Sequence, residues 1–382
     1  MEIDPVTEKH HMSMDTHAAS TATSLGGARG AWLARGAQVL LGLWLFVCAL
    51  AVMKAGAKEL APSLEGSVFT DTAASTLGFG WLGAMLVMSG SPIAASALAF
   101  LDGGVVSTVQ AFTMLTGSRL GASFVVLTVA VIYAVRSSAQ RDGVTSVRYA
   151  PLSIGIFALI MTAVVYVPAL AIGVPLLSTG AIDPVTPSTP VTMVDFIDTV
   201  TAPVVDNVEA IVPGALLFVA GLGILLVALK IFDRCVPDAS GAAGLEEHTD
   251  WRSRKWIMFG LGSLVALVTM SVAVALTVLV PLVAKGHLRR RHALPYIMGA
   301  NIMTLGDTLM AALIIGHEDA PRVVMAELIA TSTITLVLLA FFYRPLTEAV
   351  VWATDSLLKS KTRLAAFVCA LFCIPVSLVI AF

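Results

Sequence analysis

The chain has 382 residues, 57% of them hydrophobic and 13% charged, whereas a soluble globular domain carries roughly 25% charged residues. The mean hydropathy of +0.90 argues against a water-soluble fold, and 25 acidic against 23 basic residues leave no basic surplus for nucleic acid. Three cysteines, Cys48, Cys369 and Cys373, lie inside apolar runs and Cys235 lies beside a charged loop, so neither a disulfide framework nor metal-ligand spacing is present.

In chain order, residues 1–28 are polar, carry His10, His11 and His17, and lack an apolar signal-peptide core. They are expected to form a disordered cytoplasmic tail. A membrane span needs about 20 apolar residues. Candidates lie at 32–55, 108–135 and 150–177, then at 210–232, 293–316, 323–343 and 364–382. Within 150–177, Pro151, Pro168 and Pro175 predict a kinked or broken segment. Residues 78–103 and 256–284 are also apolar, but each is rich in Gly or Ser near its middle and has like-signed flanks.

Short cytoplasmic loops gather Lys and Arg. Arg29 and Arg35 therefore place the N-terminus inside, as do Arg136, Arg141 and Arg148 for the next loop and Arg234, Arg252, Arg254 and Lys255 for a third. Lys54 and Lys58, at the far end of the first span, count against this map. Residues 178–208 hold no Lys or Arg but hold Asp183, Asp195, Asp198 and Asp206 with four prolines, and read as an exposed outside loop. The run His287-Leu288-Arg289-Arg290-Arg291-His292 reads as an inside anchor. On this map 78–103 has both ends outside and 256–284 both ends inside, so each enters and leaves on one face, as a re-entrant hairpin whose tip must be covered by protein.

The two hairpins align without gaps at an offset of 182 residues, Gly117 onto Gly299. Gly78 then meets Gly260, Gly80 meets Gly262, Met88 meets Met270 and Ser89 meets Ser271. The expected architecture is an all-α polytopic membrane protein with two inverted-topology repeats, 29–177 and 209–343, each with a re-entrant hairpin. The 178–208 loop lies between them, and 344–382 adds an amphipathic segment and a last span.

The second half contains Ala284 and Gly286 at a corner, His292-Ala293-Leu294-Pro295-Tyr296, and Gly299-Ala300-Asn301-Ile302 with Thr304. These residues resemble the type II sodium-dependent phosphate cotransporter family, in which each hairpin tip reads Gln-Ser-Ser-Ser and an Ala-Leu-Pro segment leads into Gly-Ala-Asn-Ile-Gly-Thr. Here the tips are Met88-Ser89-Gly90-Ser91 and Met270-Ser271-Val272-Ala273, and the first Gly-Ala-Asn-Ile-Gly is Gly117-Ser118-Arg119-Leu120-Gly121. The resemblance implies sodium as coupling ion and phosphate or a related small anion as substrate, moved by alternating access across the cell membrane.

Arg119 is the first candidate, since a charge at membrane depth costs about 2.5–3.5 kcal/mol and a guanidinium presents a planar fork to an oxyanion. Gly117 and Gly121 would let backbone N–H groups approach the same anion. Ser89, Ser91, Ser271 and Asn301 complete the expected substrate set. Asp307, with Thr304, Asn301 and Ser271, is the expected ion-binding set, although Asp307 could equally neutralise Arg119. Glu327 is placed near a span end, within reach of water. Met88, Met270 and Met303 read as flexible filler. No hydrolase or phosphate-loop motif is present, so no enzyme activity and no cofactor beyond a sodium ion is expected. A channel and a non-transporting structural or sensory descendant stay open as alternatives, as does homo-oligomerisation.

The charge map predicts that cysteine labelling in intact cells modifies a probe at Ser188 and spares one at Ala243. The reverse pattern overturns the map.

Overall fold

The computed structural model describes residues 36–64, 66–138, 145–187, 190–235, 251–284 and 288–380. The 1–28 tail, Ser188, most of the 233–255 loop and His287 lie outside the described residues, which are helical and contain no strand. Helix α1 (Gly36–Leu64) is followed by a helical hairpin, α2 (Ala73–Val87) and α3 (Ser91–Asp102), and by two long helices, α4 (Thr108–Ser138) and α5 (Thr145–Ser178). A 3₁₀ turn at Asp183–Val185 leads to α6 (Val191–Ile211), α7 (Ala215–Cys235) and α8 (Trp251–Thr269). The chain continues through α9 (Val272–Thr277), α10 (Leu279–Ala284), α11 (Arg290–Met303) and α12 (Leu305–Ile315). It finishes with α13 (Asp319–Phe341), α14 (Tyr343–Leu358) and α15 (Lys361–Ile380).

Among the described residues, six stretches are long and apolar enough to cross a membrane: 36–64, 108–136, 151–178, 290–315, 319–341 and 361–380. This is a polytopic membrane protein. The span expected at 210–232 is helix α7 (Ala215–Cys235), in which Leu216–Phe232 is a shorter apolar stretch than these six. The stretch 178–208, expected as loop, is largely helix α6, which runs through Pro203. Helix α5 is unbroken across its three prolines, with α4 and α13 packed along it.

The anomalous lysines have a tertiary role. Helix α1 extends past the expected end at residue 55, and carries Lys54 to 3.5 Å and Lys58 to 4.0 Å from the Asp102 carboxylate at the end of α3. Lys54 Nζ also donates to the Ile315 carbonyl at 3.0 Å, capping the C-terminus of α12. These cations are placed by helix ends and a buried carboxylate, which a rule about loops does not see.

Helix α2 starts where Thr72 and Ser75 form a capping box, the Ser75 N–H donating to Thr72 Oγ1 at 3.1 Å and the Thr72 N–H to Ser75 Oγ at 3.0 Å. It ends at Met88, whose φ of 57° is left-handed, with the Ser89 N–H closing back on the Ala84 carbonyl. Helix α8 ends at Met270 with φ 49°. These two methionines, 182 residues apart, are the only non-glycine residues with positive φ among the described residues. Each such turn costs about 1–3 kcal/mol and persists only where its surroundings impose it.

The partners of the hairpins repeat at the same offset. A Cβ on Gly80 would lie 2.1 Å from the Met114 carbonyl oxygen, and one on Gly262 would lie 2.1 Å from that of Tyr296. A Cβ on Gly117 would lie 2.1 Å from the Leu77 oxygen, and one on Gly299 would lie 2.1 Å from that of Phe259. Glycine is thus required on both faces of the α2–α4 and α8–α11 contacts, where backbone meets backbone. The register fails at its ends: Gly78 faces the Pro375 carbonyl of α15, whereas Gly260 faces open space.

Gly80→Ala and Gly262→Ala should each lower thermal stability by at least about 1–3 kcal/mol. Gly260→Ala should leave it unchanged or raise it. Melting of the purified variants in one detergent checks both.

Candidate functional site

Charged side chains from three helices meet in the buried interior. Arg119 on α4 and Asp307 on α12 are 3% and 4% exposed, and their side chains approach at 3.7 Å, Arg119 Nη2 to Asp307 Oδ1. Thr308 bridges them: its hydroxyl accepts from Arg119 Nη2 and donates to Asp307 Oδ1 at 2.8 Å. Arg119 Nε and Asp307 Oδ2 are left without a protein partner. Asp307 lies in the first turn of α12, where the helix dipole favours a carboxylate.

Glu327 on α13 is the second carboxylate. It is 0% exposed, which corrects its expected place near water. Thr116, one turn before Arg119 on α4, donates to Glu327 Oε2 at 2.9 Å, while Oε1 has no partner. Arg119, Asp307 and Glu327 all act electrostatically on Tyr166 of α5. The Tyr166 hydroxyl donates to the Asn301 carbonyl at 2.9 Å, and Asn301 Nδ2 donates to Thr162 Oγ1 at 3.2 Å. A polar band from α4, α5, α11, α12 and α13 therefore crosses an otherwise apolar core.

The expected substrate residues separate into two groups. The tip rests on α4 at Gly90, where a Cβ would come within 2.8 Å of Ala122 Cβ and 3.0 Å of the Ser118 carbonyl; among the described residues, no hydrogen bond joins Ser89 or Ser91 to Arg119. Gly117 and Gly121, expected to cradle an anion, instead face the Leu77 and Trp81 carbonyls, so helix packing accounts for them. Ser271 caps α9 by accepting from the Val274 N–H at 3.3 Å.

The four residues expected to hold a cation do not converge on one oxygen cage. Thr304 and Asn301 meet, the Thr304 hydroxyl donating to the Asn301 carbonyl at 3.1 Å. Asp307 faces Arg119 and Thr308, and Ser271 stays at its helix cap.

Sequence reasoning missed Glu327 as a buried group, together with Thr116, Thr308, Tyr166 and Thr162. A signal for Glu327 existed. It is the only charged residue between Arg322 and Arg344, and it lies eight residues past Asp319, about 12 Å along the helix.

Against protein-family models, curated proteins and solved structures, the chain matches none.

Leaving one member of the buried pair uncompensated is costly. Arg119→Gln and Asp307→Asn should each destabilise the fold by about 3–5 kcal/mol, and the double variant should lose less than the sum of the two. Thermal unfolding of all three in one lipid and detergent system measures the coupling.

Proposed function

We propose that this chain is a secondary active transporter that moves a small oxyanion, phosphate or a chemically related one, together with a cation by alternating access. The observation that carries the reading is the buried Arg119–Asp307 pair, with an unsatisfied atom on each partner. A guanidinium held in this way offers an oxyanion a bidentate fork with little water to compete. Asp307 occupies one side of that fork, so an arriving anion would exchange with a carboxylate of like charge and geometry.

The two hairpins support an inverted-repeat architecture for this mechanism. Two helix breaks at left-handed methionines and two sets of glycine-to-carbonyl contacts recur at one offset, and the charge map gives them opposite entry faces. Transporters of that kind place their sites between repeats, at interrupted helices. Here α11 passes into α12 at Thr304, which keeps right-handed helical backbone angles, three residues before Asp307. Sodium is the coupling ion that the resemblance implies.

The experiment is counterflow in proteoliposomes with a panel of labelled oxyanions, phosphate first, under sodium or pH gradients. Saturable exchange of one oxyanion supports the reading, and unsaturable, gradient-independent flux favours a channel. Arg119→Lys keeps the charge but loses the fork, and should weaken apparent affinity sharply, while Arg119→Gln should nearly abolish exchange. Full transport by the double variant Arg119→Gln with Asp307→Asn would show that the pair is structural and overturn the anion-site assignment.

A further inference from the structure

We propose that Glu327 takes up a proton at its contact with Thr116 and that this proton is the coupling cation of the transport cycle. The inference rests on the transporter reading for the use of the proton, and on geometry for its place.

The geometry has two states built into it. Thr116 Oγ1 lies 2.9 Å from Glu327 Oε2 and 3.0 Å from the Phe112 carbonyl one turn back. A hydroxyl has one hydrogen to donate. With that hydrogen on Oε2, Glu327 is a carboxylate. With it on the Phe112 carbonyl, Thr116 becomes the acceptor and the carboxyl group must supply the hydrogen. Rotation of one hydroxyl therefore accommodates either protonation state without moving a heavy atom, the proton itself coming from and returning to water.

The surroundings favour neutralising this group. Arg119 from α4, Asp307 from α12 and Tyr166 from α5 are the charged or titratable groups of this cluster. The other elements packed on α13 send theirs elsewhere. Asp102 of α3 is held by Lys54 and Lys58, and Tyr296 of α11 donates to the Ala275 carbonyl. Tyr343, Arg344 and Glu348 of α14 line a separate cavity with Lys255 and His292. One guanidinium thus stands against two carboxylates, and Asp307 already takes it at 3.7 Å. A metal cation wants a shell of several oxygens, whereas Glu327 has one side-chain partner, and a proton needs no more.

Coupling follows from charge. An oxyanion that displaces Asp307 from Arg119 leaves two carboxylates unmatched in a buried site, a cost of several kcal/mol per ion. A proton taken from water on the entry side onto Glu327 lowers that cost. Its return to water on the exit side, as the anion leaves, restores the Arg119–Asp307 pair.

The test uses the full chain in proteoliposomes, by infrared difference spectroscopy across a pH titration and by accumulation of labelled phosphate. A protonated-carboxyl band should be present, lost in Glu327→Gln, retained in Asp307→Asn and shifted in frequency by Thr116→Val, which also serves if Glu327→Gln does not fold. Accumulation should follow an imposed pH gradient, and its ratio to counterflow should collapse in Glu327→Gln. A band indifferent to both Glu327→Gln and Thr116→Val overturns the proton site. Accumulation driven by a sodium gradient at equal pH overturns the proton as coupling ion. Failure to exchange any tested oxyanion refutes coupling through this site, while the infrared result still decides whether Glu327 is protonated.

Discussion

A charge inside an apolar medium has to be matched, and the interior of this protein is arranged around that constraint. Arg119, Asp307 and Glu327 lie on three helices that are far apart in sequence, yet each depends on the others to remain buried. The hydroxyls of Thr116 and Thr308 divide the work between the two carboxylates, and Tyr166 joins the same cluster to the carbonyl of Asn301. Such a network adds polar links among α4, α5, α11, α12 and α13 to the apolar contacts they share. Its cost is partly returned by the placement of Asp307 at the start of α12, where the helix end is electrostatically positive.

Close backbone approach is the second organising element. Gly121 lets α4 come within 2.2 Å, measured from an added Cβ, of the Trp81 carbonyl. In the 182-residue register its counterpart is Met303, which is 37% exposed.

Much of this was legible in the sequence. Hydropathy located six of the long helices, and the Gly and Ser clusters marked the helix ends near Met88 and Met270, because helix length and backbone breaks are local properties. The Arg119–Asp307 pair was readable as one of two alternatives, since two opposite charges at membrane depth seek each other. The burial of Glu327 is not legible because distance along a helix does not report burial, and α4 meets it through Thr116. Gly117 and Gly121 were assigned to a ligand because glycine permits close approach without saying what approaches; the partner is another helix. The length of α6 was hidden by its prolines and aspartates, which suit an exposed helix as well as a loop.

The contact of α15 with α2 makes the two hairpins mechanically unequal. Helix α2 is held on one side by α4 and on the other by α15, where the Pro375 carbonyl sits against Gly78. Helix α8 carries Ile257, Leu264, Leu267 and Val268 on an exposed face, and its Gly260 touches nothing. In the proposed alternating-access cycle, rocking of one half against the other would meet a stiff element and a compliant one, with strain collecting in the compliant one. On that proposal the motion is less a symmetric seesaw than a lever with a fixed fulcrum, the final helix serving as the brace that sets which arm swings.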